Sequence, residues 1–131
     1  MRCLLDTNVF AWSLGVKSRL NAAATEVLTS SATLIYLSPV SSWEIAIKHA
    51  LGKIVLPTAP TDFVPRAMRD LGIITLDVTH AHALAAGQLP PHHRDPFDRM
   101  LIAQARAEGM VLLTADQFFK AYDVEILLCG K

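Results

Sequence analysis

The sequence predicts an α/β sandwich on a mostly parallel sheet, and three features of the 131-residue chain carry that reading. Short apolar runs alternate with segments of helical period, the pattern that gives right-handed crossovers between parallel strands. The chain is 52% hydrophobic with a mean hydropathy of +0.34, enough for a sizeable core and far from a disordered composition. Acidic residues recur where apolar runs hand over to helices, at Asp6, Glu44, Asp98 and Asp116.

Arg2 to Leu5 reads as a short buried strand. Asp6, Thr7 and Asn8 offer helix-start chemistry for Val9 to Leu14, which Gly15 ends. Ala22 to Leu28 is a second helix, stopped by the Ser30–Ser31 pair. Leu34 to Leu37 is a second strand, halted at Pro39. Val40 to Leu51 returns to helical period, with Trp43, Ile45, Ile47 and Leu51 as its apolar positions and Gly52 as its terminator. A loop from Leu56 to Pro60 leads to a helix over Asp62 to Leu71, with Pro65 expected in its first turn.

Ile73 to Leu76 is a third strand and Ala81 to Ala86 a short helix. Leu89 to Arg94 holds two prolines and two histidines and reads as a loop. Pro96 to Ala107 is the best-defined helix, closed by Gly109. Met110 to Leu113, a helical turn over Phe118 to Tyr122, and a strand over Val124 to Leu128 complete the chain. With no linker or repeat, residues 1–131 are expected to form a single domain.

Composition narrows the function. No apolar stretch reaches the roughly 18 residues of a bilayer span. A strand begins almost at the N-terminus, so no signal peptide is expected and the expected compartment is cytoplasmic. Cys3 and Cys129 read as buried free thiols. Net charge is zero, yet setting aside Asp6, Glu44, Asp95, Asp98 and Asp116 leaves seven acidic against 12 basic residues. A basic rim around an acidic pocket suits a polyanion once cations fill the pocket.

If the apolar runs are parallel strands, the four carboxylates gather at the carboxyl edge of the sheet, where open α/β folds bind ligands. Four carboxylates in one pocket repel or take up protons unless cations are present. Oxygen donors without Cys or His spacing suit hard cations such as Mg²⁺ or Mn²⁺. Metal-dependent phosphoryl chemistry follows. Each acid also has a plain structural role: Ser41 and Glu44 fit a capping box, Asp95 fits an N-cap followed by Pro96, and Asp6 and Asp116 can cap the helical segments after them. Glu44 also stands four residues before Lys48, the spacing of a helix ion pair. Capping and metal binding are compatible, since both occur at helix N-termini.

Four blocks carry a family resemblance: Leu4 to Asn8, Ser38 to Ile45, His93 to Ala105, and Leu113 to Asp116. In this order they resemble the PIN domain, and more narrowly the VapC ribonuclease toxins of type II toxin–antitoxin systems. The third block, His-Arg-Asp-Pro-Phe-Asp-Arg-Met-Leu-Ile-Ala-Gln-Ala, is the most specific. The resemblance implies a three-layer sandwich with a five-stranded parallel sheet, and Asp6, Glu44, Asp98 and Asp116 as catalytic, metal-binding acids. It also implies a Mg²⁺-dependent endoribonuclease, with Mn²⁺ as a substitute, that leaves 5′-phosphate and 3′-hydroxyl ends. The implied partners are RNA, a VapB-like antitoxin, a second copy of the chain, and operator DNA reached only through the antitoxin.

Around the quartet, Thr7, Asn8 and Thr114 are candidates to orient the acids. Asp98 is assigned to metal and Asp95 mainly to the helix cap. Arg99 is expected either at a phosphate or against the acids, and Arg94 at a phosphate. His92 and His93 read as solvated loop residues, with contact to a phosphate as the alternative, and His80 and His82 as surface positions. Trp12 and Trp43 read as core or interface aromatics rather than base-stacking platforms. Two other functions use the same residues. One is a binding module that serves a toxin–antitoxin complex and its autorepression. The other is an RNA-processing nuclease with no antitoxin.

Overall fold

The computed structural model describes residues 1–131. Its strands are β1 (Arg2–Leu5), β2 (Leu34–Leu37), β3 (Ile74–Thr75), β4 (Val111–Thr114) and β5 (Ile126–Leu128). Its helices are α1 (Thr7–Leu14), α2 (Ala22–Thr29), α3 (Pro39–Ala50), α4 (Pro60–Leu71), α5 (His80–Gln88) and α6 (Pro96–Glu108). Short 3₁₀ turns cover Lys17–Arg19, which the sequence reading lacked, and Gln117–Ala121.

The five strands are all parallel, in the order β3-β2-β1-β4-β5. β1 is central. The chain first winds outward through β2 and β3, then returns across α5 and α6 to lay β4 on the other side of β1. The carboxyl ends of β1 and β4 therefore flank the point where winding reverses, the crevice that binds ligands in such sheets.

Strand residues alternate between two cores. Cys3, Leu5, Ile35, Leu37 and Leu113 pack with Val9 and Phe10 of α1, Ala24 of α2, Ile45 of α3, and Val64 and Ala67 of α4. Leu4 and Leu112 face the opposite layer, with Leu101, Ile102 and Ala105 of α6 and Phe119. A sheet covered on both faces demands near-continuous apolar runs, and Leu4, Leu5, Leu112 and Leu113 are completely buried. Cys3 and Cys129 are buried free thiols.

Several elements start elsewhere than the sequence suggested, and one shift changes the site. α3 begins at Pro39, not Val40: Ser38 is the N-cap, its Oγ accepting from the Val40 N–H at 3.1 Å. Proline is favoured at the first helical position because that N–H needs no partner. Ser41 is therefore not a cap, and Glu44 lies beyond the first turn rather than in a capping box. Likewise α4 starts at Pro60, so Pro65 falls inside the helix, on an exposed position. α5 is capped by Thr79 in a box with His82, which is buried rather than on the surface. Trp43 is 62% exposed and so belongs to no core, meeting the Phe97 ring edge-on at 5.1 Å. Gly109 closes α6 at φ +64°, a left-handed turn that costs glycine little and delivers the chain directly into β4.

Candidate metal centre

The reversal point of the sheet holds a cleft whose walls are almost wholly polar. It is lined by Asp6, Glu44, Asp98 and Asp116, together with Asn8, Lys48, Asp95 and Ala115. All four sequence-predicted acids thus share one cavity, each delivered by a different element.

Asp6 follows β1 and holds the N-cap position of α1, yet makes no side-chain cap. Its Oδ2 instead accepts from Thr114 Oγ1 at 2.8 Å, across the β1–β4 pair. Burial pushes the Asp6 carboxyl up to about 6 against the hydrogen bonds from Thr114 and the Thr7 backbone, and the charges of Glu44 and Asp116 add to the rise. Thr114 Oγ1 also accepts from the Asp116 N–H at 3.0 Å, so this hydroxyl ties together both strand ends.

Glu44 is 7% exposed on α3. Its Oε2 pairs with Lys48 at 2.8 Å, as the spacing suggested, and the bond raises the lysine's pKa. Its Oε1 is buried without any hydrogen-bond partner. Thr7 does not orient the acids through its side chain; its hydroxyl donates to Ser41 Oγ at 2.9 Å, locking α1 to α3. Asn8 is exposed at the rim, with no side-chain hydrogen bond to an acid.

Asp95 and Asp98 open α6 in different ways. Asp95 Oδ1 caps the helix, accepting from Phe97 N at 2.9 Å and Asp98 N at 3.4 Å. Asp98, in the first turn, is pushed up to about 8, first by burial and then by the charges of Asp6, Asp95, Glu44 and Asp116. Asp116 caps the 3₁₀ turn after β4, its Oδ1 accepting from Phe118 N at 2.9 Å.

Two expectations about neighbouring residues fail. Arg99 makes no bond to the acids: its guanidinium donates to the carbonyls of Ala86, Leu89, Pro90 and His93 at 2.8–3.2 Å. A planar fork with five donors suits this task, and it pins the loop between α5 and α6. His93 is not a solvated loop residue. Its side chain is 18% exposed, with Nε2 3.1 Å from Asp98 Oδ2 and 3.3 Å from Asp116 Oδ2. No local sequence signal marks it beyond its place two residues before the helix cap. His92 is exposed and packs edge-on against Tyr122, and Arg94 is exposed.

The donor set fits a hard divalent cation. An unpaired buried charged oxygen costs several kcal/mol unless a cation or donor meets it, and Glu44 Oε1 has neither in the protein. The same cation would counter the mutual repulsion that drives Asp6 and Asp98 toward protonation.

Comparison with known proteins agrees with this architecture. The family model for the PIN domain matches residues 3–125. Ribonuclease VapC16 of Mycobacterium tuberculosis (strain ATCC 25618 / H37Rv) is 48% identical over 48 residues, and that stretch spans 37% of this chain and only 34% of the relative. A chain in the crystal structure of VapBC2 from Rickettsia felis, bound to a DNA fragment from their promoter, superposes with TM-score 0.68 at 15% identity, covering 99% of this chain and 100% of that one. DNA-bound VapBC from Salmonella typhimurium gives TM-score 0.67 at 19% identity, covering 97% of each chain. FitAcB from Neisseria gonorrhoeae gives 0.64 at 21% identity, covering 95% of this chain and 96% of that one.

Proposed function

Because the chain belongs to the PIN domain family, we propose that it is a divalent-metal-dependent endoribonuclease toxin of the VapC type, neutralised by a VapB-like antitoxin. The observation that carries this reading is the buried, partnerless Glu44 Oε1 in a cleft shared with Asp6, Asp98 and Asp116. Four such oxygens in one cleft repel one another or take up protons, and a divalent cation relieves both costs.

In this reading Asp6, Glu44, Asp98 and Asp116 hold Mg²⁺ or Mn²⁺. The bound metal supplies a water of lowered pKa and charge stabilisation at the phosphate. The chain's residues supply position. Thr114 fixes the Asp6 carboxylate through its 2.8 Å bond. Lys48 holds one oxygen of Glu44 and leaves the other, buried, without a partner. The Thr7–Ser41 bond keeps α3, and with it Glu44, registered against α1. Arg94, exposed beside the cap of α6, is available to a phosphate of the substrate. Hydrolysis directed this way leaves 5′-phosphate and 3′-hydroxyl ends and needs no attack by the RNA 2′-hydroxyl.

The partner assignment draws on two fold neighbours that come from VapBC complexes, both with DNA. Residues 1–131 act here as one catalytic domain that pairs with a second copy and with the antitoxin, meeting operator DNA only through the latter. No helix is long and apolar enough to cross a membrane, and an RNA substrate places the activity in the cytoplasm. The test is cleavage of RNA by the purified protein in Mg²⁺, in Mn²⁺ and in EDTA, beside Glu44→Gln and co-expression with any small gene encoded beside it. Metal-dependent cleavage with ligatable 5′-phosphates, lost in Glu44→Gln and silenced by the neighbour's product, is the expected result. Undiminished cleavage in EDTA, or 2′,3′-cyclic ends, refutes the reading.

A further inference from the structure

His93 is fixed at every polar atom. Its backbone N–H donates to Tyr122 Oη at 2.7 Å, and that hydroxyl donates to the Pro90 carbonyl at 2.8 Å. Its carbonyl accepts from Arg99. Its ring packs edge-on against Phe119, centroids 5.8 Å apart. A solvated loop histidine has no need of three such anchors.

The ring's position between Asp98 and Asp116 suggests a metal ligand at first sight, since the three donor atoms lie within 4.8 Å of one another. The other nitrogen decides against it. Nδ1 accepts the backbone N–H of Asp95 at 3.1 Å, so its lone pair is in use and Nδ1 carries no proton. A neutral imidazole has one donor and one acceptor nitrogen. Nε2 must then carry the hydrogen and is a donor, with no lone pair to offer a cation. That hydrogen goes to Asp116 Oδ2 at 3.3 Å, with Asp98 Oδ2 3.1 Å from the same nitrogen, while Asp116 Oδ1 is held by Phe118 N. Oδ1 of Asp98 makes no protein hydrogen bond, and Asp98 lines the cleft. His93 is not itself among the residues that line the cleft.

We propose that His93 is a positioning residue, which as the Nε2–H tautomer holds Asp116 by a hydrogen bond, keeps Asp98 beside it and sets both carboxylates for the cation without ligating it. The idea rests on the metal-centre reading above, but its tautomer does not. The α6 start thereby performs three tasks within five residues: Asp95 caps the helix and sets the histidine tautomer, Asp98 meets the cleft, and Arg99 pins the loop that carries His93.

The test has two arms. Long-range ¹H–¹⁵N spectra, recorded above the ordinary histidine range of pH on metal-free and Mg²⁺-saturated protein, should show His93 protonated at Nε2 and bare at Nδ1 in both. A proton on Nδ1, or loss of the Nε2 proton when Mg²⁺ binds, overturns the proposal. In the second arm Mn²⁺ affinity is measured by electron paramagnetic resonance. His93→Asn keeps an acceptor for the Asp95 N–H but cannot reach the acids, and should bind Mn²⁺ roughly tenfold to a hundredfold more weakly. His93→Gln places an amide N–H near the Nε2 position and should recover most of that loss. Equal affinity in His93→Asn and wild type, tighter binding in His93→Asn, or equal weakness in both variants overturns the role. Asp98→Asn is run beside them: wild-type affinity there refutes the metal centre itself, whereas loss there with none in His93→Asn refutes only the positioning role.

Discussion

Replacing Asp98 by Asn separates a metal ligand from a helix cap, because Asp95 and Asp98 share one helix start but are loaded in opposite ways. The Asp98 carboxyl stands at about 8 in the folded protein against an ordinary 3.8. An acid with a raised folded value favours folding fully only below its unfolded value. Metal-free stability should therefore fall as pH climbs from about 4 to about 8, and then level off. At about 1.4 kcal/mol per pH unit, the cost at pH 7 is on the order of 4 kcal/mol. Asn keeps the shape and carries no charge, so Asp98→Asn should recover much of that cost. At ~4 °C per kcal/mol, the metal-free variant should melt some 5–15 °C above the wild type near neutrality, with the gap closing toward pH 4. Saturating Mg²⁺ should raise the wild type and leave Asp98→Asn unmoved. Asp95→Asn still caps the helix and should be nearly silent, whereas Asp95→Ala should lose about 0.5–2 kcal/mol. Differential scanning calorimetry across pH, with and without metal, reads all of this. A metal-free Asp98→Asn that melts below the wild type at pH 8 would refute the electrostatic reasoning, and an Asp95→Asn as inactive as Asp98→Asn would make Asp95 a working carboxylate.

Further outcomes follow from single contacts. Thr114→Val removes the hydroxyl that donates to Asp6 and accepts from Asp116 N–H; it should cost about 1–3 kcal/mol in a urea melt and weaken Mn²⁺ binding, and unchanged metal affinity would show that Asp6 needs no such support. Arg99→Gln strips four carbonyls of their shared donor; faster amide exchange should appear across residues 86–93 and at His93 foremost, and unchanged protection there would refute the pin. Ser41→Ala leaves Thr7 Oγ1 buried without its partner; thermal melting should show a loss of about 1–2 kcal/mol, and a silent change would mean that the α1–α3 register has other supports.

What the sequence disclosed, and what it hid, divides by the reach of the interactions. The strands Arg2–Leu5 and Leu34–Leu37 and the helix from Pro96 were legible because burial on both faces, proline at the first helical position and a terminal glycine are local signals. The gathering of Asp6, Glu44, Asp98 and Asp116 followed from strand ends sharing one sheet edge. The start of α3 was misread because Ser38 and Ser41 both suit an N-cap, and the choice fell to Pro39, which begins the helix rather than merely ending the strand. Pro65 was placed in a first turn because Pro60 was assigned to the loop. Arg99 and His93 were beyond reach altogether. Their partners are backbone carbonyls and carboxylates brought together when the loop after α5 folds back over α6, and nothing in a linear pattern reports that return.

Anomalous diffraction from crystals grown in Mn²⁺ tests the metal centre most directly. A manganese peak should lie in the cleft, at about 2.0–2.2 Å from oxygens of Asp6 and Asp98 and within reach of Glu44 Oε1, with His93 Nε2 still donating to Asp116. A cleft without manganese at saturating concentration would contradict the account.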